Sequence, residues 1–322
     1  MKWVGGGPDL PPDLLQLVED GRLVFFCGAG ISLPCGLPDF RGLVKAVFEH
    51  THQPMVDLEK EEFENGQYDR VLGLLKSRIG AELVRKAVVR TLDLDPNANL
   101  ATHRALIDLA RAHDGTYRLV TTNFDRAFEF AARDAGITLD AGPRLPVPKP
   151  GVWNSIVHLH GRISDADPEG RSLVLTSADF GAAYLTERWA SRFLTELFRR
   201  FSVLFVGYSL NDPVVRYMMD ALAADRAAGD VVGEAFVLDG CTEAAAEQTA
   251  RAWNAKGVIP LLYDSRHNHA ALHETLVKWA ACHRRGLLGK ESIVQELGCT
   301  APDLLDSFFD YHHAAASRAS SL

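Results

Sequence analysis

The chain reads as an α/β protein: a parallel sheet with helices on both faces, plus a helical insertion lobe. Short, β-rich apolar runs alternate with longer amphipathic stretches, the pattern of strands joined by crossover helices. Those runs are apolar almost throughout, as expected of strands covered on both sides. Between the first two runs lie about seventy residues with helical periodicity, more than a plain βαβ crossover requires. With 322 residues, 47% of them apolar, the chain is long enough to bury a sizeable core.

In chain order, strands are predicted at Leu23–Cys27, Arg118–Thr122, Ile156–His160, Ser202–Gly207, Ala235–Asp239 and Val258–Tyr263. The insertion covers about residues 43–115, and within it Leu100, His103, Leu106, Ile107 and Ala110 keep a helical apolar period. The segment Ala141 to Gly151 carries four prolines and is expected to be a surface loop. From Ala178 to Phe201 the spacing predicts one amphipathic helix, with Leu185, Trp189, Phe193 and Leu197 recurring on its apolar face. Residues 286–322 read as a helical tail or linker ending in AAASRASSL. The expected organisation is a catalytic domain over 1–285 followed by that tail.

Charge and composition narrow the function classes. The chain has 34 basic and 42 acidic residues, net −8, and no Lys/Arg stripe runs along a predicted helix. Direct nucleic-acid binding by this chain is not expected. The first residues, MKWVGGGPDLPPD, lack the apolar stretch of a secretion signal, and the apolar runs are strand-length, so a cytoplasmic protein without a membrane span is expected. Cys27, Cys35, Cys241, Cys282 and Cys299 are scattered with no CxxC pair, which points to free thiols and no metal.

The most informative stretch is Gly28 to Gly42, GAGISLPCGLPDFRG, directly after the first strand. Gly28 and Gly30 permit a sharp turn and close approach to a diphosphate. The spacing fits neither GxGxxG nor the P-loop, and glycines after a strand also serve as a simple turn. Asn123 and Asp125 follow the second strand, at the end of the sheet where ligands of open α/β folds sit. An asparagine there orients a water or a ribose hydroxyl, and equally caps a helix. His160 ends a strand beside Gly161, which places its ring at the edge of the sheet, suited to general-base work. His158, two residues earlier, is expected on the same face in a packing role. His267, His269 and His273 lack acidic or thiol partners at ligand spacing and read as a solvated helix start.

Taken together, GAGIS…GLPDFRG, Thr122-Asn123-Phe124-Asp125, His160-Gly161 and Gly207-Tyr208-Ser209 resemble, in order, the signature blocks of the sirtuin family. The resemblance spans roughly residues 20 to 265. It implies an inverted Rossmann-like domain that binds NAD as its substrate. On that resemblance Ala29, Gly30 and Ser32 hold the diphosphate, and Asp39, Phe40 and Arg41 belong to a loop closing over the nicotinamide end. Gly207 and Ser209 hold ribose and phosphate, Asp239 contacts the adenosine ribose, and Asn123, His160 and Asp125 are catalytic.

Tyr208 departs from the smaller residue usual in sirtuins, and residues 162–206 contain no cysteine where protein-deacylating sirtuins carry a zinc module. The pattern resembles the bacterial sirtuin-like domains of anti-phage defence proteins. That branch implies hydrolysis of NAD to ADP-ribose and nicotinamide, a homo-oligomer, and an attached sensor domain or partner protein. An NAD-dependent protein deacylase and a non-enzymatic NAD or ADP-ribose sensor are the alternative readings.

Overall fold

A computed structural model describes residues 1–133, 135–208, 218 and 233–285. The expected tail over 286–322 and Ser209 lie outside the described residues. Seven strands pair in parallel throughout: β1 (Leu23–Cys27), β2 (Arg118–Thr121), β3 (Leu139–Ala141), β4 (Ser155–His158), β5 (Ser202–Val206), β6 (Ala235–Cys241) and β7 (Ile259–Asp264). Their order is β3-β4-β2-β1-β5-β6-β7. The chain leaves β1 toward β2 and β4 on one side, then returns to β5 on the other. The crevice at the carboxyl ends of β1 and β5 is therefore the switch point where ligands of such sheets bind.

Alternation along each strand divides the core into two layers. Val24, Phe26, Val120, Val157, Val203 and Phe205 pack against α9 (Trp189–Arg200) and α10 (Ala246–Asn254). Phe25, Leu119, Ile156, Leu204 and Leu238 face α1 (Pro12–Glu19), α6 (Ala101–Leu109), α7 (Ala127–Ala131) and α11 (Arg266–Arg285). All five residues of β1 are buried, which is why the sequence there is continuously apolar.

The helical lobe has its own core. Leu43, Val44, Val47, Val71, Leu75, Val84 and Val88 join α2 (Phe40–Thr51), α3 (Asp57–Glu64), α4 (Tyr68–Ile79) and α5 (Ala81–Thr91), with Leu173 and Leu175 closing it from the later chain. α6 does not join this lobe; Leu106 and Leu109 pack beneath the sheet.

Four local expectations are corrected. The helix expected from Ala178 to Phe201 is three pieces: α8 (Ser177–Gly181), a π-helical turn at Ala182–Thr186, and α9 after Arg188 in a left-handed conformation (φ 60°). Leu185, expected on the apolar face, is 71% exposed. The short edge strand β3 has only half-buried residues and gave no apolar run to read. Asn123 does not cap a helix, since α7 starts at Ala127.

Candidate active site

Because every strand runs the same way, the residues following β1, β2, β4 and β5 meet Asp239 near the end of β6 at one rim. Ala29, Ser32, Asp39, Phe40, Thr122, Asn123, Phe124, Asp125, His160 and Phe180 line a crevice of about 550 Å³ there. A neighbouring crevice of about 1020 Å³ is lined by Ala29, Gly30, Asp39, Phe40, Arg41, Gly207, Asp239, Tyr263 and His269. Ala29, Asp39 and Phe40 border both, so the two form one cleft across the switch point.

The polar floor is a hydrogen-bonded network. Asn123 Nδ2 donates to the Gly28 carbonyl and to Ser32 Oγ, both at 3.1 Å. A carbonyl can only accept, so the amide orientation is fixed, and Oδ1 is the group Asn123 can offer to a water or hydroxyl. Ser32 Oγ donates to Asp125 Oδ2 at 2.9 Å, and Asp125 Oδ1 accepts from the Ala127 amide at the start of α7. The side chain that meets the first amide of α7 is thus that of Asp125 and not that of Asn123. Burial raises the Asp125 pKa, opposed by its hydrogen bonds from Ala127 and Ser32. His103 sits behind, its Nε2 3.4 Å from Ser32 Oγ, and burial pushes its pKa down to about 3.

His160 is buried, 1% exposed, and not at the open edge expected for it. β4 ends at His158 and the chain turns at Gly161 (φ 83°), so the strand's alternation no longer applies at position 160. As a result His158 and His160 point to opposite layers: His158 lies against Phe128, His160 against Phe180 and Tyr184. His160 Nε2 is 2.8 Å from the Tyr184 hydroxyl. Burial alone lowers the His160 pKa to about 3, so the ring is neutral at physiological pH. His158 Nδ1 donates to the Asn123 carbonyl at 3.0 Å, which anchors the backbone of the Asn–Asp pair from below.

At the other end, two glycine turns brace each other. The Gly28 amide donates to the Val206 carbonyl at 2.8 Å and the Gly30 amide to the Gly207 carbonyl at 3.0 Å. A Cβ on Gly30 would stand 2.9 Å from Gly207 Cα, and one on Gly207 (φ +76°) 2.7 Å from the Ile31 nitrogen. Only glycine permits this approach. Gly28 lies beneath the cleft surface, against the Tyr208 ring. The Tyr208 hydroxyl donates to the Cys27 carbonyl at 3.1 Å and meets Thr122 Oγ1 at 2.7 Å, tying β1, β2 and β5 together. Asp239 Oδ2 accepts from Trp253 Nε1 at 2.7 Å, and burial raises its pKa.

Around the mouth, Asp39 caps α2 by accepting from the Gly42 amide at 2.7 Å. Phe40 meets Tyr68 edge-on, and the Arg41 guanidinium lies over Phe63, 4.7 Å from its centroid, and 3.6 Å from Glu64. Ser209 falls outside the described residues.

Tyr184, Phe180, Trp253 and Tyr263 are cleft or supporting residues that sequence spacing does not reveal. The expected solvated histidines also differ: His269 lines the cleft and pairs with the Tyr263 hydroxyl at 2.9 Å, and His273 meets Thr102 Oγ1 at 3.1 Å. Among the described residues no group of three or more His, Cys, Asp or Glu side chains is arranged to hold a metal ion. No helix among them is long and apolar enough to cross a membrane.

An uncharacterized protein of Sinorhizobium fredii is 35% identical over 271 residues, covering 80% of this chain and 22% of that protein. The NAD(+) hydrolase ThsA of Cytobacillus dafuensis is 25% identical over 215 residues, 65% of this chain and 40% of that one. The chain thus spans about a fifth and two fifths of the length of these relatives. Among solved structures, a Sir2 homolog–NAD complex aligns with TM-score 0.41 and 17% identity, covering 87% of this chain and 96% of that one. A mutant Sir2 homologue in complex with ADP ribose aligns with TM-score 0.43 and 15% identity, covering 86% and 98%. The family model for the SIR2-like domain matches residues 118–261. That span holds Asn123, Asp125, His160 and Asp239, so this part of the chain is similar to the SIR2-like domain.

Proposed function

We propose that residues 1–285 form a catalytic domain that hydrolyses NAD to ADP-ribose and nicotinamide. The observation that carries this reading is that Asn123, Asp125 and His160 line the same crevice, continuous with the glycine turns at the switch point. The likeness to a protein named as an NAD(+) hydrolase supports it.

In this reading the aromatic rings of Phe40, Phe124 and Phe180 enclose the nicotinamide end and exclude bulk water. The bond between ribose C1′ and the nicotinamide nitrogen breaks, and its electron pair leaves with neutral nicotinamide. The oxocarbenium-like ribose faces Asn123, whose Oδ1 orients a water toward C1′. Water adds, and its proton passes to His160, balancing the reaction as NAD⁺ plus water to ADP-ribose, nicotinamide and a proton. A base with a pKa near 3 is weak. The diphosphate brings negative charge into the cleft, which favours the imidazolium and moves that value back up. The Asp125 carboxylate, held through Ser32, faces the developing positive charge. Ala29, Gly30, Ser32, Gly207 and Ser209 would hold diphosphate and ribose, with Gly28 shaping the turn beneath them, Asp39, Phe40 and Arg41 would form the closing loop, and Asp239 would meet the adenosine ribose. No step requires a metal.

We place the protein in the cytoplasm as an NAD-depleting effector of anti-phage defence, assembled as a homo-oligomer with a sensor domain or partner. The test is incubation with NAD and chromatographic separation of products from wild type, His160→Ala and Asn123→Ala. Nicotinamide and ADP-ribose from wild type, with at least a hundredfold loss in both variants, are expected. Absence of nicotinamide release in every oligomeric state, or full activity in His160→Ala, refutes the proposal. Formation of O-acetyl-ADP-ribose from an acetyl-lysine peptide would make the protein a deacylase instead.

A further inference from the structure

The π-helical turn between α8 and α9 delivers one side chain to the proposed base. Tyr184 lies in that turn, is 6% exposed, and its hydroxyl stands 2.8 Å from His160 Nε2. Its ring stacks on Phe180 (6.1 Å between centroids, 24° between planes), and Phe180 meets the His160 ring edge-on at 5.0 Å. The turn is pinned at both ends. Before it, Asp179 Oδ2 accepts from the Thr176 amide at 2.9 Å and Lys76 Nζ reaches Asp179 Oδ1 at 3.2 Å. After it, Ser191 Oγ donates to the Tyr184 carbonyl at 3.0 Å. A π turn inserts one extra residue into the helical ladder and shifts the register of side chains, and such turns recur at functional sites. Here the shift turns Tyr184 inward.

A phenyl ring at position 184 would fill this space as well as a phenol does. The hydroxyl adds a fixed partner for one imidazole nitrogen. An imidazole bonded at one nitrogen holds one tautomer and one ring orientation, and the other nitrogen carries the exchangeable proton or lone pair.

We propose that Tyr184 is a positioning residue for His160, its hydroxyl oxygen accepting Nε2–H so that Nδ1 bears the lone pair that takes up a proton. After proton uptake the imidazolium keeps the same bond, so neither partner reorients during turnover. The role in turnover rests on His160 acting as the base of the proposed hydrolysis; the tautomer does not.

The experiment combines ¹⁵N-histidine NMR on the free protein with steady-state nicotinamide release, in wild type and Tyr184→Phe. His160→Ala assigns the His160 signals by their loss. Wild-type His160 is expected as the Nε2–H tautomer. Tyr184→Phe is expected to mix the tautomers and to lower kcat about tenfold with KM for NAD within about twofold, a fraction of what a general base contributes. An Nδ1–H tautomer in wild type, an unchanged tautomer in Tyr184→Phe, or a raised KM at unchanged kcat each overturns the proposal. The wild-type spectrum decides even where the variant fails to fold. A wild type with the Nε2–H tautomer and no nicotinamide release would sink the hydrolase reading while leaving the contact's positioning role in place.

Discussion

Acidification should unfold this protein well above the pH at which its buried histidines would accept protons in the folded state. His103, His158 and His160 are each at most 1% exposed, and burial lowers their pKa values to about 3, about 4 and about 3. In the unfolded chain each returns to about 6.5. The folded values are the lower ones, so the stability these groups contribute is present above about pH 6.5 and is lost as pH falls toward 3–4. Between about pH 8 and pH 5 each unfolded histidine gains a proton that its folded counterpart refuses, which costs about 2 kcal/mol per group. Three groups give about 6 kcal/mol, a large part of the 5–15 kcal/mol that holds a typical domain. Asp125 and Asp239 act in the opposite sense, because burial raises their pKa values and acidification relieves them.

The assay is urea unfolding followed by tryptophan fluorescence from about pH 8 to pH 5, since Trp153 and Trp253 are fully buried and report the core directly. In His103→Gln the loss over this range should shrink by about 2 kcal/mol. A total loss below about 2 kcal/mol, or an identical loss in His103→Gln, would refute the claim that these rings stay neutral inside the fold.

Two further substitutions probe the cleft. Gly207→Ala places a Cβ 2.7 Å from the Ile31 nitrogen at φ +76°; it should destabilise by at least about 2 kcal/mol, read as a lower urea midpoint, and an unchanged midpoint would mean the two turns are not braced. Trp253→Phe removes the 2.7 Å donor to Asp239; calorimetry should show ADP-ribose binding weakened about fivefold, consistent with losing one charge-assisted hydrogen bond, and an unchanged Kd would separate Asp239 from ribose recognition.

Most of the sheet was legible because strands buried on both faces, β1 and β5 above all, are written as continuous apolar runs, and the edge strand β7 was legible because Ile259 to Tyr263 is apolar although only partly buried. β3 escaped because its three half-buried residues, Leu139 to Ala141, form an edge with no such constraint. The π turn escaped for a different reason. An every-four apolar spacing ties Leu185 to Trp189, Phe193 and Leu197, and the π turn together with the left-handed Arg188 breaks that register, with Leu185 exposed and Tyr184 buried. Sequence periodicity assumes a constant turn angle and has no term for such an insertion. The reading of His158 and His160 as sharing a face failed similarly, because alternation holds only while the strand lasts and β4 stops at His158. The motif residues themselves were recognisable as strings, yet their support was not. Trp253 reaches Asp239 and His103 reaches Ser32 only through the folding of distant elements.

That support explains how the rim holds its polar groups in fixed positions. Asn123 spends both amide hydrogens on the protein, Ser32 passes its proton to Asp125, and His158 holds the Asn123 carbonyl. A network linked in this way leaves few orientations to choose among, so the Asn123 oxygen is set before any ligand arrives, as the Tyr184 contact sets the His160 ring. The histidines that make the rim rigid are neutral only while buried, and burial depends on the sheet's two apolar layers. The chemistry available at the cleft and the acid sensitivity of the fold therefore have one origin: imidazoles held in a low-dielectric rim that cannot charge without opening it.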